Sequence, residues 1–173
     1  MTEAQRRSRV MGLAFGNLLL TAVHHAYGAY LYDTPWRLHI VPAALAAAVV
    51  IGLSGAVLRR NREGVADTVA FGIWCVALIF PFGMIGFVEG GYNHVLKDLL
   101  YFEGASSEVM RALFPAPVYE MPNDFFFEFT GVLQLVPAVL GARDLLALAR
   151  ERQAAARANS RSDASWDPRR RAS

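Results

Sequence analysis

The sequence predicts an all-α integral membrane protein, with four transmembrane helices in an up-down bundle and an amphipathic outer segment between spans three and four. Three observations predict it. The apolar residues, 54% of the chain, gather in long blocks instead of alternating through it. Four blocks reach the roughly 20 residues that a helix needs to cross the hydrocarbon core. The charged residues lie almost wholly between the blocks.

Span one is expected from Val10 to Leu31. Arg6, Arg7 and Arg9 before it give QRRSRV a resemblance to a twin-arginine signal. The apolar run continues past His24 and His25 and meets no good A-x-A cleavage site, so an uncleaved span is expected. Span two is expected over Leu38–Leu58, span three over Val65–Val88 and span four over Phe125–Leu148. Lipid offers no partners to the backbone, so each must be a helix. The short link Tyr32–Arg37 makes spans one and two an antiparallel hairpin.

Gly90 and Gly91 are expected to end span three. Beyond them Val95, Leu96, Leu99, Leu100 and Phe102 recur at helical spacing opposite Lys97 and Asp98, which predicts a short amphipathic helix on the membrane. Ser106 or Ser107 is placed to cap a further short helix ending before Pro115. Pro115, Pro117 and Pro122 predict extended chain, and Asn123 or Asp124 a cap for span four. Pro81 and Pro137 each remove a helical hydrogen bond. Gly12 and Gly16 form a GxxxG, which predicts close helix packing. The expected domain is residues 1–152. Residues 153–173, rich in Ala, Arg and Ser, are expected to form a disordered basic cytoplasmic tail that touches anionic lipid.

Orientation follows from arginine. All but three of the 17 basic residues lie before span one, between spans two and three, or after span four. The exceptions are Arg37, Lys97 and Arg111. The positive-inside rule then puts both termini in the cytoplasm, in the cell inner (plasma) membrane. The opposite face carries Asp33, Glu89, Asp98, Glu103, Glu108, Glu120, Asp124 and Glu128. The arginines flank apolar spans, so they read as topology signals and not as a nucleic-acid surface. Cys75 alone excludes an internal disulfide or a CxxC site. Nucleotide, Gly-rich phosphate and Ser-His-Asp motifs are absent, so the chain names no enzyme class.

All four histidines fall on the outer side. At about 100° per residue, Asn17, Thr21, His24, His25 and Gly28 share one face of span one. A polar stripe facing lipid is costly, so this one should point into the bundle. His39 opens span two, Glu89 and His94 close span three, and Glu128 opens span four. An up-down bundle brings these ends together. The predicted metal ligands are His24, His25, His39, Glu89, His94 and Glu128, a set suited to zinc, non-haem iron, manganese or copper(II). Haem b is the other cofactor considered, held by His24 or His25 with His39 or His94.

Other readings use the same residues. They include proton relay, or binding or transport of a quinone or small ligand. A lipid-modifying enzyme using Glu89, Glu128 and a histidine is another. In a purely structural subunit the polar groups only join helices, and Glu89 or Glu128 pairs with Arg37 or Lys97. Membrane lipids are the expected partners, with a homo-oligomer or a larger membrane complex.

Overall fold

The computed structural model describes residues 1–60, 64–116 and 119–165, with side chains through Ala158. Among the described residues the chain is all-helical, without a strand. Helix α1 spans Glu3–Leu31 and starts at a capping box, in which Thr2 and Gln5 each satisfy the other's backbone N–H. A 3-10 turn, Pro35–His39, leads into α2, Ile40–Arg60. Helix α3, Val65–Leu78, continues without interruption into a π-helix, Ile79–Leu96, and then α4, Lys97–Phe102. Helix α5, Ser107–Leu113, is capped by Ser106, and α6, Phe125–Leu133, by Asp124. Helix α7 covers Leu135–Ser165. Pro137 has no N–H for the Leu133 carbonyl, and α6 and α7 separate there around Gln134.

The core contains Val10, Ile51, Leu58, Trp74, Leu78 and Leu148, each almost fully buried. On α1 the buried residues recur every three or four positions, from Val10 through Ala14, Asn17, Thr21 and His24 to Gly28. The outward faces are strongly apolar: Leu45 and Leu53 on α2, Val76 on α3 and Phe125 on α6 are each at least 66% exposed. Apolar surface on that scale marks a protein that associates with a membrane.

Three helical stretches are long and apolar enough to cross one: Pro35–Arg60, Val65–Phe102 and Phe125–Ala158. Helix α1 is not among them, because Asn17, Thr21, His24 and His25 dilute its apolar run. The stretch Val65–Phe102 also runs past Gly90 and Gly91, which were expected to end it. Both glycines sit inside the π-helix, and Gly90 lies against the backbone of Gln134 and Leu135, where a side chain would collide. The expected amphipathic helix is therefore the end of that long helix, and its Lys97 is turned inward and buried. Gly12 and Gly16 do not mediate packing within the chain, since a Cβ at either would meet nothing within 4 Å. Helix α7 carries helical structure into the segment expected to be a tail. Arg62, Pro117 and residues 166–173 lie outside the described residues.

Candidate metal centre

Two ion clusters mark the ends of the bundle. At the arginine end, Asp144 is 1% exposed and faces Arg9 at 3.4 Å, Arg143 at 3.2 Å and Arg6 at 3.9 Å. Arg152 binds Asp67 at 2.8 Å. At the other end the histidines and carboxylates converge.

His24 is fully buried on α1, three residues from Thr21 and seven from Asn17 on the same stripe. Its Nδ1 lies 3.0 Å from Thr130 Oγ1 on α6. The Thr130 hydroxyl donates to the carbonyls of Phe126, at 2.8 Å, and Phe127, at 3.1 Å. With the hydroxyl proton given to those carbonyls, its oxygen accepts from His24 Nδ1–H, and Nε2 of the neutral ring then holds a lone pair. That Nε2 is buried and has no hydrogen-bond partner.

His94 repeats the arrangement. Its Nδ1 donates to Glu128 Oε2 at 2.6 Å, and in the neutral ring Nε2 is then the lone-pair nitrogen. Glu128 is held in turn by Lys97, whose Nζ lies 3.0 Å from Oε1 and 2.8 Å from the Glu120 carbonyl. Lys97 is 2% exposed, so this ion pair is buried and its partners need each other.

Glu89 joins the two histidines. Its Oε1 is 3.6 Å from His24 Nε2 and 3.7 Å from His94 Nε2. Its other oxygen accepts from Asn93 Nδ2 at 3.1 Å. One ligand atom from each of His24, Glu89 and His94 falls within 4.8 Å of the others. The π-helix makes this meeting feasible. In an α-helix, residues five apart point about 140° away from each other. Hydrogen bonds running from i to i+5 widen each turn, so Glu89 and His94 overlie one another on one face.

Packing fixes the rings. Phe127 stacks on His24, with centroids 4.2 Å apart, and meets His94 edge-on at 5.3 Å. The His94 imidazole lies directly over Gly131, where any Cβ would collide with the ring. Beside the centre is a cavity of about 160 Å³, lined in part by His25, Arg37, His39, Glu89 and His94. Tyr32, at the end of α1, meets the Phe127 ring edge-on and donates to Asn123 at 2.6 Å. Burial, and then the Glu128, Glu120 and Asp124 carboxylates, push its phenol up, so it stays a neutral donor.

Three of the six predicted ligands therefore meet: His24, Glu89 and His94. Glu128 supports His94 one step back, and Lys97 holds Glu128. His25 is buried, with Nδ1 unpartnered beside the cavity. His39 is exposed and its Nδ1 bonds the Trp36 carbonyl, so it stands apart from the centre. Thr130, Asn93 and Gly131 were not expected at the site. Their only sequence signal is position, one helical turn or less from Glu128, Glu89 or His94.

The geometry suits a metal ion and does not suit haem. Metal bonds of about 2.0–2.2 Å place tetrahedral neighbours about 3.3–3.6 Å apart, within a few tenths of an ångström of the two distances to Glu89. Each imidazole has its remote nitrogen anchored by an oxygen, the usual support of a metal-bound histidine. A porphyrin needs room between its two axial imidazoles. The His24 and His94 centroids are only 4.8 Å apart, and the cavity shared by His25 and His39 is far smaller than the roughly 300–1,000 Å³ of larger-ligand sites. No family model, no curated protein and no solved structure matches the chain.

Proposed function

We propose that this chain is a four-span protein of the cell inner membrane that binds a divalent transition metal, zinc or iron(II), at His24, Glu89 and His94. One observation carries the reading. Two imidazole nitrogens and a carboxylate oxygen converge inside the bundle, and in the neutral rings both nitrogens are lone-pair atoms. Three such acceptors repel unless a metal ion or a proton lies between them. Two histidines and one carboxylate with open positions is a donor set used by both zinc and non-haem iron. The open side faces the small cavity, which admits water or a small polar ligand beside Arg37 and Lys97.

The register of α1 supports its role as the fourth span. Asn17 bonds the Pro81 carbonyl, and seven residues on His24 meets Glu89, so α1 runs alongside the Val65–Phe102 helix. Its polar stripe faces the other helices and not the surroundings, which removes the cost of placing it in lipid. The arginine cluster at the far end supports a cytoplasmic side for both termini under the positive-inside rule.

A second reading uses the same convergence: a proton on one imidazole would also relieve it, making the cluster a proton-holding site. The distances of 3.6 and 3.7 Å favour a metal, because they are long for a hydrogen bond. Elemental analysis of detergent-purified protein, beside His24→Ala, separates the two. The metal reading expects one zinc or iron per chain, lost in the variant. Metal-free protein that also fails to take up either ion would leave the proton reading in its place.

A further inference from the structure

At the arginine end, α1, α2 and α3 enclose a cavity of about 360 Å³, separate from the metal centre. Arg7, Ser8 and Arg59 form its rim, while Met11, Phe15 and Trp74 line it deeper. The rim is cationic. Arg59 is exposed and makes no ion pair among the described residues. Arg7 gives one N–H to the Leu58 carbonyl at 3.0 Å and lies 3.8 Å from Glu3 Oε1, so Arg59 is the rim cation left without a counter-ion among the described residues.

The floor holds an unanswered donor. Trp74 is fully buried, and its indole N–H has no hydrogen-bond partner. The nitrogen lies 3.7 Å from where a Cβ on Gly55 would be, and the flexible Met11 side chain, 2.8 Å from the same point, is what a ligand would displace to reach it. Gly55 is four residues before Arg59 on α2, so this donor sits about 6 Å below the arginine rim. The side wall at Gly12 is open, since a Cβ there would meet nothing within 4 Å.

We propose that this cavity binds one anionic phospholipid. Its phosphate lies against Arg7 and Arg59, an ester carbonyl a few ångströms deeper accepts from the Trp74 N–H, and its acyl chain leaves past Gly12 along Met11 and Phe15. The ligand must be anionic at the rim, accept a hydrogen bond just below it and be apolar beyond. A free phosphate meets only the first demand. The inference needs α2 and the Val65–Phe102 helix to lie in a membrane, and is independent of the metal centre.

Native mass spectrometry of the full chain, released from detergent with equal phosphatidylglycerol and phosphatidylcholine, tests this. At about 1 kcal/mol for each arginine near an anionic surface, the wild type should retain phosphatidylglycerol about 30-fold over phosphatidylcholine. Arg59→Gln, on an exposed residue with no ion pair among the described residues, should cut that preference about fivefold. Trp74→Phe should weaken retention of both lipids and leave the preference intact, because the ester carbonyl is common to both. Equal retention of the two lipids by the wild type, or an unchanged preference in Arg59→Gln, overturns the proposal. So does displacement of phosphatidylglycerol by glycerol 3-phosphate at matching concentration, which would make this a phosphate site with no use for the groove.

Discussion

Glu89 and His94 are five residues apart in the chain, yet His94 Nε2 lies 3.7 Å from Glu89 Oε1. The π-helix produces that contact, and His24, arriving from α1, completes the group at 3.6 Å from the same oxygen. Long π-helical segments are rare and concentrate at functional sites. Within it, Gly86 and Gly90 press against Ala138 and Gln134, closer than any side chain would permit.

The three ligands should be separable from the other histidines. His24→Ala and His94→Ala should each abolish stoichiometric metal. His39→Ala should leave it unchanged, since His39 is exposed and bonded to Trp36, and His25→Ala should alter it less than tenfold. Metal content and dissociation constants of the four variants, measured on folded protein, check this pattern.

The anchors behind the imidazoles should matter without touching metal. Thr130→Val removes the acceptor for His24 Nδ1–H and should weaken metal affinity about 10- to 100-fold, while Thr130→Ser preserves it. Glu128→Gln should weaken it over the same range. Glu128→Ala also strands the buried Lys97 charge, and should cost about 3–5 kcal/mol of stability in a denaturant titration.

Gly131→Ala should act as a ligand mutation without removing a ligand. The new methyl occupies the space of the His94 ring, which must turn away from Glu89. Metal loss with retained helical circular dichroism is the expected result.

Bound metal should leave in acid. Imidazole and carboxylate bind metal only when deprotonated, so protons compete at all three ligands and affinity falls as pH falls. The stability that metal adds is then present at neutral pH and lost on acidification. Thermal unfolding with and without chelator, followed across pH, should show two curves that merge at low pH.

The arginine end should be structural. Asp144→Asn leaves Arg6, Arg9 and Arg143 without their shared anion, and should cost up to about 3 kcal/mol with metal content intact. Comparing unfolding midpoints and metal content of the same sample checks both halves.

Much of this architecture was legible in the chain, and the gaps have physical reasons. The stripe from Asn17 to Gly28 follows from a 3.6-residue period, and its burial from the cost of polar groups in lipid. The Ser106 and Asp124 caps follow from residue type and position. The pairing of Lys97 with Glu128 was one of the alternatives that the residues allowed. The meeting of Glu89 with His94 was not legible, because an α-helical register sets them apart and nothing local announces i to i+5 bonding. The choice of His24 over its neighbour His25 turns on Thr130 and Phe127, contacts made across more than 100 residues of chain. Gly90 and Gly91 mislead for a related reason. Glycine reads as a helix stop, but Gly90 serves close approach to another helix. Asp144 lies inside the expected span four, and its burial turns on Arg6 and Arg9, which reach it from the other end of the chain.

X-ray absorption at the metal edge of purified protein would show which atoms surround the ion. Two imidazole nitrogens and one carboxylate oxygen are expected within about 2.0–2.2 Å of it, with one imidazole missing in His24→Ala. A metal shell made of water and buffer alone, or a shell identical in wild type and His24→Ala, would contradict a metal centre at His24, Glu89 and His94.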